Sequence, residues 1–358
     1  MNEQNSIIIG ITSPLVEELG TKWPSLDKTQ YVILPETYEL SRKHKLKTFL
    51  VNLFNRPSTS IFSDSQHKKS KKGFLQNQLF NSEIHKASAL IIDWRWGLEL
   101  ANVIDAMPML RWIHVVKTGV NHLPLDIIHK RGIMLTCVKG VYAQAVAEFT
   151  IGLIYCRLKR YIEHDHRMRQ NRWVSLWSQG LAGKKLLILG TGAIGQRLAT
   201  IASANGLIVT GVNSDGRPIK GFIRVKSSNT MAELWVEADV VVNCLPSTPA
   251  TQGMVGNKEF SLLKRGTIFI NVGREDTVDS KALLSGLDAG KPEWAALDID
   301  PPLPNHPYRN HSQILLTHHS AYTSEDAKAS RAKATVDNIK AFLAGKELSG
   351  LVDLERGY

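Results

Sequence analysis

The stretch from Lys184 to Arg217 constrains this chain more than any other. It opens with Leu186-Leu187-Ile188-Leu189, an apolar run short enough and bounded tightly enough to be a buried strand. Gly190-Thr191-Gly192-Ala193-Ile194-Gly195 follows at once, and a helical pattern then runs from Gln196 to Asn205. Gly206 stops it, as a C-terminal glycine stops a helix. Leu207-Ile208-Val209-Thr210-Gly211-Val212 closes a βαβ unit. In that setting the three glycines have separate tasks. Gly190 allows the tight turn, Gly192 lets the backbone approach a pyrophosphate, and Gly195 lets helix and strand pack closely. The phosphates would sit on the free N–H groups of the helix start. Residues Gly190, Thr191, Gly192, Ala193, Ile194 and Gly195 are therefore the expected dinucleotide-binding segment. Glycine also punctuates ordinary turns; it is the flanking strands and helix that give this spacing its meaning.

The residues past the second strand bear on which dinucleotide. An NAD-binding unit places Asp or Glu about 20 residues into the motif, on the ribose 2′-hydroxyl. Here Asn213-Ser214-Asp215-Gly216-Arg217 stands at that place. Asn213 occupies the carboxylate's position, so the repulsion that rejects a 2′-phosphate is missing. Ser214 can donate a hydrogen bond and Arg217 is placed to pair with a phosphate. The expected cofactor is NADP(H) in preference to NAD(H). The alternative is a solvated polar loop in which Asp215 takes the acidic role.

At 358 residues the chain is too long for one compact core and suggests two domains. No basic-then-apolar segment follows Met1 and no run of 18 apolar residues exists, so neither a secretory signal nor a membrane span is expected. Cys137, Cys156 and Cys244 lie far apart in apolar segments and read as reduced core residues of a cytoplasmic protein, with no zinc cluster. The net charge of +11 is uneven: residues 20–88 hold 12 Lys/Arg against 5 Asp/Glu, or 12 − 5 = +7. His67-Lys68-Lys69-Ser70-Lys71-Lys72 is the densest part. No aromatic residues are interleaved there, so a solvated surface loop is expected and nucleic acid is not.

Further buried strands are expected at Ile7–Ile11, Tyr31–Leu34, Ala89–Ile92 and Leu110–Val116, with a possible helix over Glu36–Asn55. Strand ends in parallel sheets face the ligand crevice, which draws attention to Trp94 and Arg95, and to Lys117-Thr118-Gly119-Val120-Asn121, a glycine-bearing turn able to cradle an anion. A long apolar helix begins at Ala145 and reaches about Arg160. The segment Arg167–Gly180 carries Trp173 and Trp177, too much apolar surface for a free linker, and is expected to pack on something, a partner subunit being one option. Beyond the cofactor unit come Ala238–Leu245 with Pro246-Ser247-Thr248-Pro249 at its exit, Thr267–Val272 ending at Gly273-Arg274-Glu275, Ala295–Asp300 followed by Pro301-Pro302-Leu303-Pro304, and Ile314–Thr317 ending at His318-His319. A final helix covers about Ser324–Ala344. Three strand ends thus deliver Arg274, Asp300 and His319 towards one crevice. His318 and His319 are neighbours on an extended segment, point to opposite faces and would not share a metal.

These pieces together resemble the D-isomer-specific 2-hydroxyacid dehydrogenase family, which includes glyoxylate/hydroxypyruvate reductases. The matching parts are Thr118-Gly119-Val120, Val146-Ala147-Glu148, Gly190–Gly195, Leu245-Pro246-Ser247-Thr248-Pro249, Ile270-Asn271-Val272-Gly273-Arg274, Ala296-Leu297-Asp298-Ile299, Thr317-His318-His319 and Arg356-Gly357-Tyr358. The resemblance covers about residues 89–358; residues 20–88 look longer than the family has. It implies an α/β fold of two doubly wound parallel-sheet domains. A Rossmann cofactor domain, 116–318, would be inserted into a flavodoxin-like substrate domain, 1–115 and 319–358, and the protein would be a homodimer. It implies that Arg274 binds a small 2-keto or 2-hydroxy acid, that His319 is the catalytic acid, that Gly119 and Val120 hold the substrate carboxylate, and that Leu245, Pro246, Thr248 and Val272 line the cofactor.

Three departures stand out. The family Glu that supports the histidine is absent from Asp298-Ile299-Asp300-Pro301-Pro302-Leu303-Pro304, so Asp300 is the candidate replacement, one carbon shorter. Glu275 stands where Gly is usual after the arginine, and His318 where Pro is usual before the histidine. In the expected chemistry the nicotinamide supplies hydride to the keto carbon, Arg274 stabilises the developing alkoxide and His319 donates the proton. A nearby carboxylate would hold the protonated ring. The rival reading is a catalytically impaired NAD(P)-sensing protein of the same fold.

Overall fold

The computed structural model describes residues 7–12, 29–34, 85–93, 99–300 and 304–358. Trp94, Arg95, the helix expected over 36–55, the basic 67–72 stretch and Pro301–Leu303 lie outside these residues. The chain divides into two compact units, Met1–Lys139 with Ala329–Tyr358, and Gly140–Lys328.

In the first unit, β1 (Ile7–Thr12), β2 (Thr29–Leu34), β3 (Ala89–Ile92), β4 (Trp112–Val115) and β5 (Met134–Cys137) form one sheet in the order β2-β1-β3-β4-β5. Every pairing is parallel, and the order is the flavodoxin-like one. Period-2 alternation sends β3 to two cores. Leu90 and Ile92 pack with Ile113, Val115, Leu135 and helices α1 (Glu99–Asp105) and α2 (Leu125–Lys130). Ala89 and Ile91 face the other way, onto Trp112, Ile339 and Leu348.

The second unit opens with α3 (Ala143–Leu158) and α4 (Tyr161–Arg169). Its seven strands are β6 (Lys185–Leu189), β7 (Ile208–Asn213), β8 (Arg224–Ser227), β9 (Val240–Asn243), β10 (Ile268–Asn271), β11 (Trp294–Ile299) and β12 (Ile314–His318). They are parallel and ordered β12-β11-β10-β9-β6-β7-β8, so the chain reverses its winding between β6 and β9. Ligands bind at that kind of switch point, outside the strand C-termini. The helix after the glycines, α5, spans Ala193–Ala204 and so begins three residues before the expected Gln196. Gly192 is already its N-cap, which puts Gly195 inside the first turn. Strand β8 was not foreseen: Arg224-Val225-Lys226-Ser227 is a half-exposed edge strand without apolar alternation.

The expected domain junctions at 115/116 and 318/319 are displaced to 139/140 and 328/329. At the first, β5 pairs with β4 along Trp112↔Met134 to Val115↔Cys137, so the chain adds one more strand to the first sheet before leaving it. At the second, Ser320 and Ala321 are bonded to Asp298 of the second unit, and the crossing falls inside α6 (Glu325–Leu343).

His114 on β4 is fully buried in the first unit. Its Nδ1 shares a hydrogen bond with Thr136 Oγ1 at 2.8 Å and its Nε2 with Thr335 Oγ1 at 3.2 Å, while Trp112 Nε1 donates to the same Thr136 oxygen at 2.9 Å. Burial pushes its pKa from 6.5 down to about 3. The folded state therefore binds fewer protons than the unfolded state between those values. We predict stability that is complete above pH 6.5 and lost as pH falls towards 3, at up to about 1.4 kcal/mol per pH unit. Chemical denaturation of wild type and His114→Gln over pH 7 to 4 checks this. Parallel slopes would remove His114 as the source.

Candidate active site

The turn after β6 is built by what its glycines lack. Gly190 sits at φ +94°, in the left-handed region, and its N–H donates to Val212 O at 2.9 Å. A Cβ on Gly195 would lie 2.1 Å from Gly190 O, which no packing adjustment absorbs. A Cβ on Gly192 would meet nothing within 4 Å, so this glycine borders open space at the N-terminus of α5. The first N–H groups of a helix have no intrahelical partner. Thr191 and the first turn of α5 thus present an anion cradle into which a pyrophosphate fits.

At the exit of β7, Asn213 organises the loop. Its Oδ1 accepts from Gly216 N–H at 2.6 Å, and its Nδ2 donates to Arg217 O at 3.0 Å and to Thr191 Oγ1 at 3.3 Å. Arg217 Nη1 pairs with Asp215 Oδ2 at 2.9 Å on the exposed rim, and Ser214 is exposed beside it. The Arg217 N–H and then its guanidinium hold the Asp215 carboxyl below its ordinary range. Leu245 and Val272 are buried at the exits of β9 and β10. Thr251 Oγ1 accepts from Thr248 N–H at 2.9 Å and donates to Pro246 O at 2.6 Å, which shapes the Leu245–Thr248 exit.

Arg274 follows β10. Burial pushes its guanidinium pKa down, with Asp300 and Asp276 opposing the shift. Such a cation is short of water and gains from an anion brought to it. Glu275 has its carboxyl pushed up, by burial first, then by Asp300 and Asp276, against the pull of His306. At the end of β12, His319 Nδ1 lies 2.9 Å from Asp300 Oδ1. A carboxylate accepts only, so Nδ1 carries the proton in this pair and Nε2 is left for a ligand. His319 adopts φ +45°, a left-handed conformation that a non-glycine residue holds only when its surroundings impose it. Asp298, 3% exposed, supplies the constraint. Its Oδ1 accepts from Thr317 Oγ1 at 2.7 Å and Ser320 N–H at 2.9 Å, and its Oδ2 from Ala321 N–H at 2.9 Å. The Tyr322 ring meets His319 edge-on at 5.6 Å and is met in turn by Tyr142 at 5.5 Å.

A family profile described as D-isomer specific 2-hydroxyacid dehydrogenase, NAD binding domain, matches residues 151–321. Glyoxylate reductase of Aeropyrum pernix is 32% identical over 267 residues, which is 71% of this chain and 79% of that one. The chain belongs to the D-isomer specific 2-hydroxyacid dehydrogenase family. Glyoxylate/hydroxypyruvate reductase A of Arabidopsis thaliana is 30% identical over 258 residues, 69% of this chain and 80% of the relative. The structure of a D-isomer specific 2-hydroxyacid dehydrogenase family protein from Aeromonas salmonicida shares the fold at a TM-score of 0.75 and 24% identity, covering 98% of this chain and 100% of that one.

Within this family member the second unit brings together Arg274, Asp300, His319 and the glycine cradle's neighbours at one sheet edge. Gly119 and Val120 lie in the first unit, after β4, where Val120 is buried and its carbonyl accepts from Leu123 N–H. Among the described residues no group of three metal-binding side chains occurs, and His318 is exposed. Sequence reasoning missed the roles of Asp298, Asn243, Asn271 and Thr277, all buried. One signal was available: Val-Val-Val-Asn243 and Ile-Phe-Ile-Asn271 each end an apolar strand on asparagine.

The glycine geometry makes a paired prediction. Gly195→Ala should be strongly destabilised, because its methyl has no room beside Gly190 O. Gly192→Ala should melt like wild type yet bind dinucleotide more weakly, since its methyl projects into the space left open. Thermal melts with cofactor titration read both. A Gly192→Ala protein that binds cofactor normally would contradict the cradle.

Proposed function

We propose that this chain reduces a small 2-keto acid, of the glyoxylate or hydroxypyruvate kind, to the D-2-hydroxy acid, with NADP(H) preferred over NAD(H). The observation that carries the reading is the Asp300–His319 pair, 2.9 Å long, with Arg274 at the exit of the neighbouring strand β10. Bound dinucleotide supplies the hydride. Arg274 draws the substrate carboxylate and polarises its carbonyl, favouring the charge that develops on oxygen. His319 offers a proton from Nε2 while Asp300 holds Nδ1 and sets the ring's orientation. A sensor that binds dinucleotide without turnover would need this histidine disarmed; its ring is instead paired. Asp300 takes the part of the family Glu, its shorter side chain reaching from the end of β11. Leu245, Pro246, Thr248 and Val272 line the nicotinamide side on the resemblance. On the same ground Gly119 and Val120 remain the candidates for the substrate carboxylate, with the first unit as substrate domain and the second as NAD(P)-binding domain.

The homodimer belongs to the same proposal. Trp173 and Trp177 are 88% and 92% exposed on the segment after α4, with Met168 and Val174 also uncovered. Apolar surface of that density calls for a cover, and a second copy of this chain is the proposed one. A cytoplasmic location fits the free thiols of Cys137, Cys156 and Cys244. Among the described residues, no helix is long and apolar enough to cross a membrane.

Steady-state assays with glyoxylate, hydroxypyruvate and pyruvate test the activity, and Asp300→Asn tests the pair. Without the carboxylate the ring loses the acceptor that fixes its orientation and its Nδ1 proton, so kcat/KM for the keto acid should fall about tenfold with cofactor affinity unchanged. A variant with lower stability but an unchanged kcat/KM would reduce Asp300 to a turn residue.

Cofactor preference rests on the loop after β7. Arg217 is the better probe, because Asn213 also closes the loop through three hydrogen bonds. Arg217→Ala should weaken NADPH by roughly tenfold or more, as for a lost charged hydrogen bond, and leave NADH unchanged. Wild-type protein that binds NADH the tighter would sink the preference.

A further inference from the structure

The second unit contains a buried polar set outside the glycine cradle and the Asp300–His319 pair. Asn243 ends β9 and is 0% exposed, Asn271 ends β10 at 1%, and Thr277 follows at 0%. Their hydrogen bonds run in one direction. The Asn243 amide nitrogen donates to Thr277 Oγ1 at 2.7 Å and to Asn271 Oδ1 at 3.0 Å. Thr277 Oγ1, having accepted, gives its one proton to Arg274 O at 2.6 Å. Asn271 Nδ2 donates to that same carbonyl at 3.3 Å, and Asn271 Oδ1 accepts the Gly273 N–H at 3.0 Å. On the other side, Asn243 Oδ1 accepts from Leu245 N–H at 3.2 Å. Every side-chain polar atom of the three thus has a partner.

Such a set is a poor way to fill a core. Buried amides and hydroxyls cost stability unless paired, and apolar side chains would pack the same space without that demand. What the set specifies is the place of one carbonyl, that of Arg274, relative to the exit of β9. Backbone contact tightens the tie: a Cβ on Gly273 would lie 2.7 Å from Leu245 O and 2.9 Å from Leu245 N. The two exits therefore move as one body or not at all, and the guanidinium springs from a backbone whose position is fixed on both sides. We infer that Asn243, Asn271 and Thr277 are positioning residues for Arg274, holding its guanidinium in register with the Leu245–Pro246 exit. This rests on the proposed role of Arg274 towards the keto acid. Asn243 is the hub, since it donates to both Asn271 and Thr277 and accepts from Leu245 N–H.

Thr277→Val tests the inference, replacing the hydroxyl with a methyl of similar shape and removing the shortest donor to Arg274 O. With the full chain, NADPH and glyoxylate, kcat/KM for the keto acid should fall about 10- to 100-fold, the penalty of a small misplacement at a reacting centre. NADPH affinity, read by its fluorescence, should not change, and Thr277→Ser, which keeps the hydroxyl donor to Arg274 O, should restore turnover. Wild-type kcat/KM in Thr277→Val overturns the inference. So does a parallel loss of NADPH affinity, or a Thr277→Ser protein as impaired as the valine variant. Arg274→Ala separates the two levels: if it too keeps wild-type kcat/KM, the role of Arg274 has failed and the positioning role with it. Where Thr277→Val does not fold, Thr277→Ala is read in the same way; if neither folds, the set serves the fold and the inference is overturned.

Discussion

The missing methyl of Gly195 is the constraint on which the second unit depends. Any other side chain there would place a carbon 2.1 Å from Gly190 O, and α5 could not begin where it does. Because α5 starts at once after the turn, its N-terminus points outward at the C-terminal edge of β6, beside the switch between β6 and β9. The other strands then bring their own C-terminal residues to the same edge, since all pairings are parallel. Arg274, Asp300 and His319 come from three successive strand exits for that reason. A helix–strand contact distance set by one glycine thus decides where the glycine turn stands relative to Arg274, Asp300 and His319.

Two aspartates near His319 act through different physics. Asp298 is 3% exposed and collects three donors, among them the backbone N–H groups of Ser320 and Ala321. Charge-assisted bonds of that kind, away from water, are strong enough to hold a non-glycine residue at positive φ. The Asp300 side chain is 83% exposed, and an exposed pair adds only about 0–1 kcal/mol to stability. Its value lies in geometry, because it fixes which ring nitrogen carries the proton and which faces a ligand. Asp298 sets where the histidine stands, and Asp300 sets how its ring is used.

Much of this site was legible because local chemistry demanded particular residues. Gly190, Gly192 and Gly195 announce themselves by spacing, and Arg274, Asp300 and His319 by standing just past apolar runs. The loop at Asn213 was only half legible. Its lack of a carboxylate was plain, but the three bonds that make it a loop organiser depend on where Thr191, Gly216 and Arg217 arrive. Asn243 and Thr277 were not legible at all, since one residue ends β9 and the other follows β10, and their contact joins positions 34 apart. The junctions at 139/140 and 328/329 escaped for a related reason: β5 looks like any short strand until its pairing with β4 is known.

The sequence by itself determined what each segment could be. Apolar runs could only be buried strands, the glycines could only serve a close turn, and the order of motifs specified a doubly wound α/β chain with a dinucleotide cradle. These are properties of neighbours along the chain, set by sterics and by solvation of the local pattern. Tertiary structure alone decided which segments meet: that Asp300 reaches His319, that Asp298 binds the loop carrying it, that Arg274 is carried into a partly desolvated place, and that Asn243 ties two exits together. Hydrogen-bond direction and desolvation depend on distances between residues far apart in sequence, and those distances exist only once the sheet has closed its register.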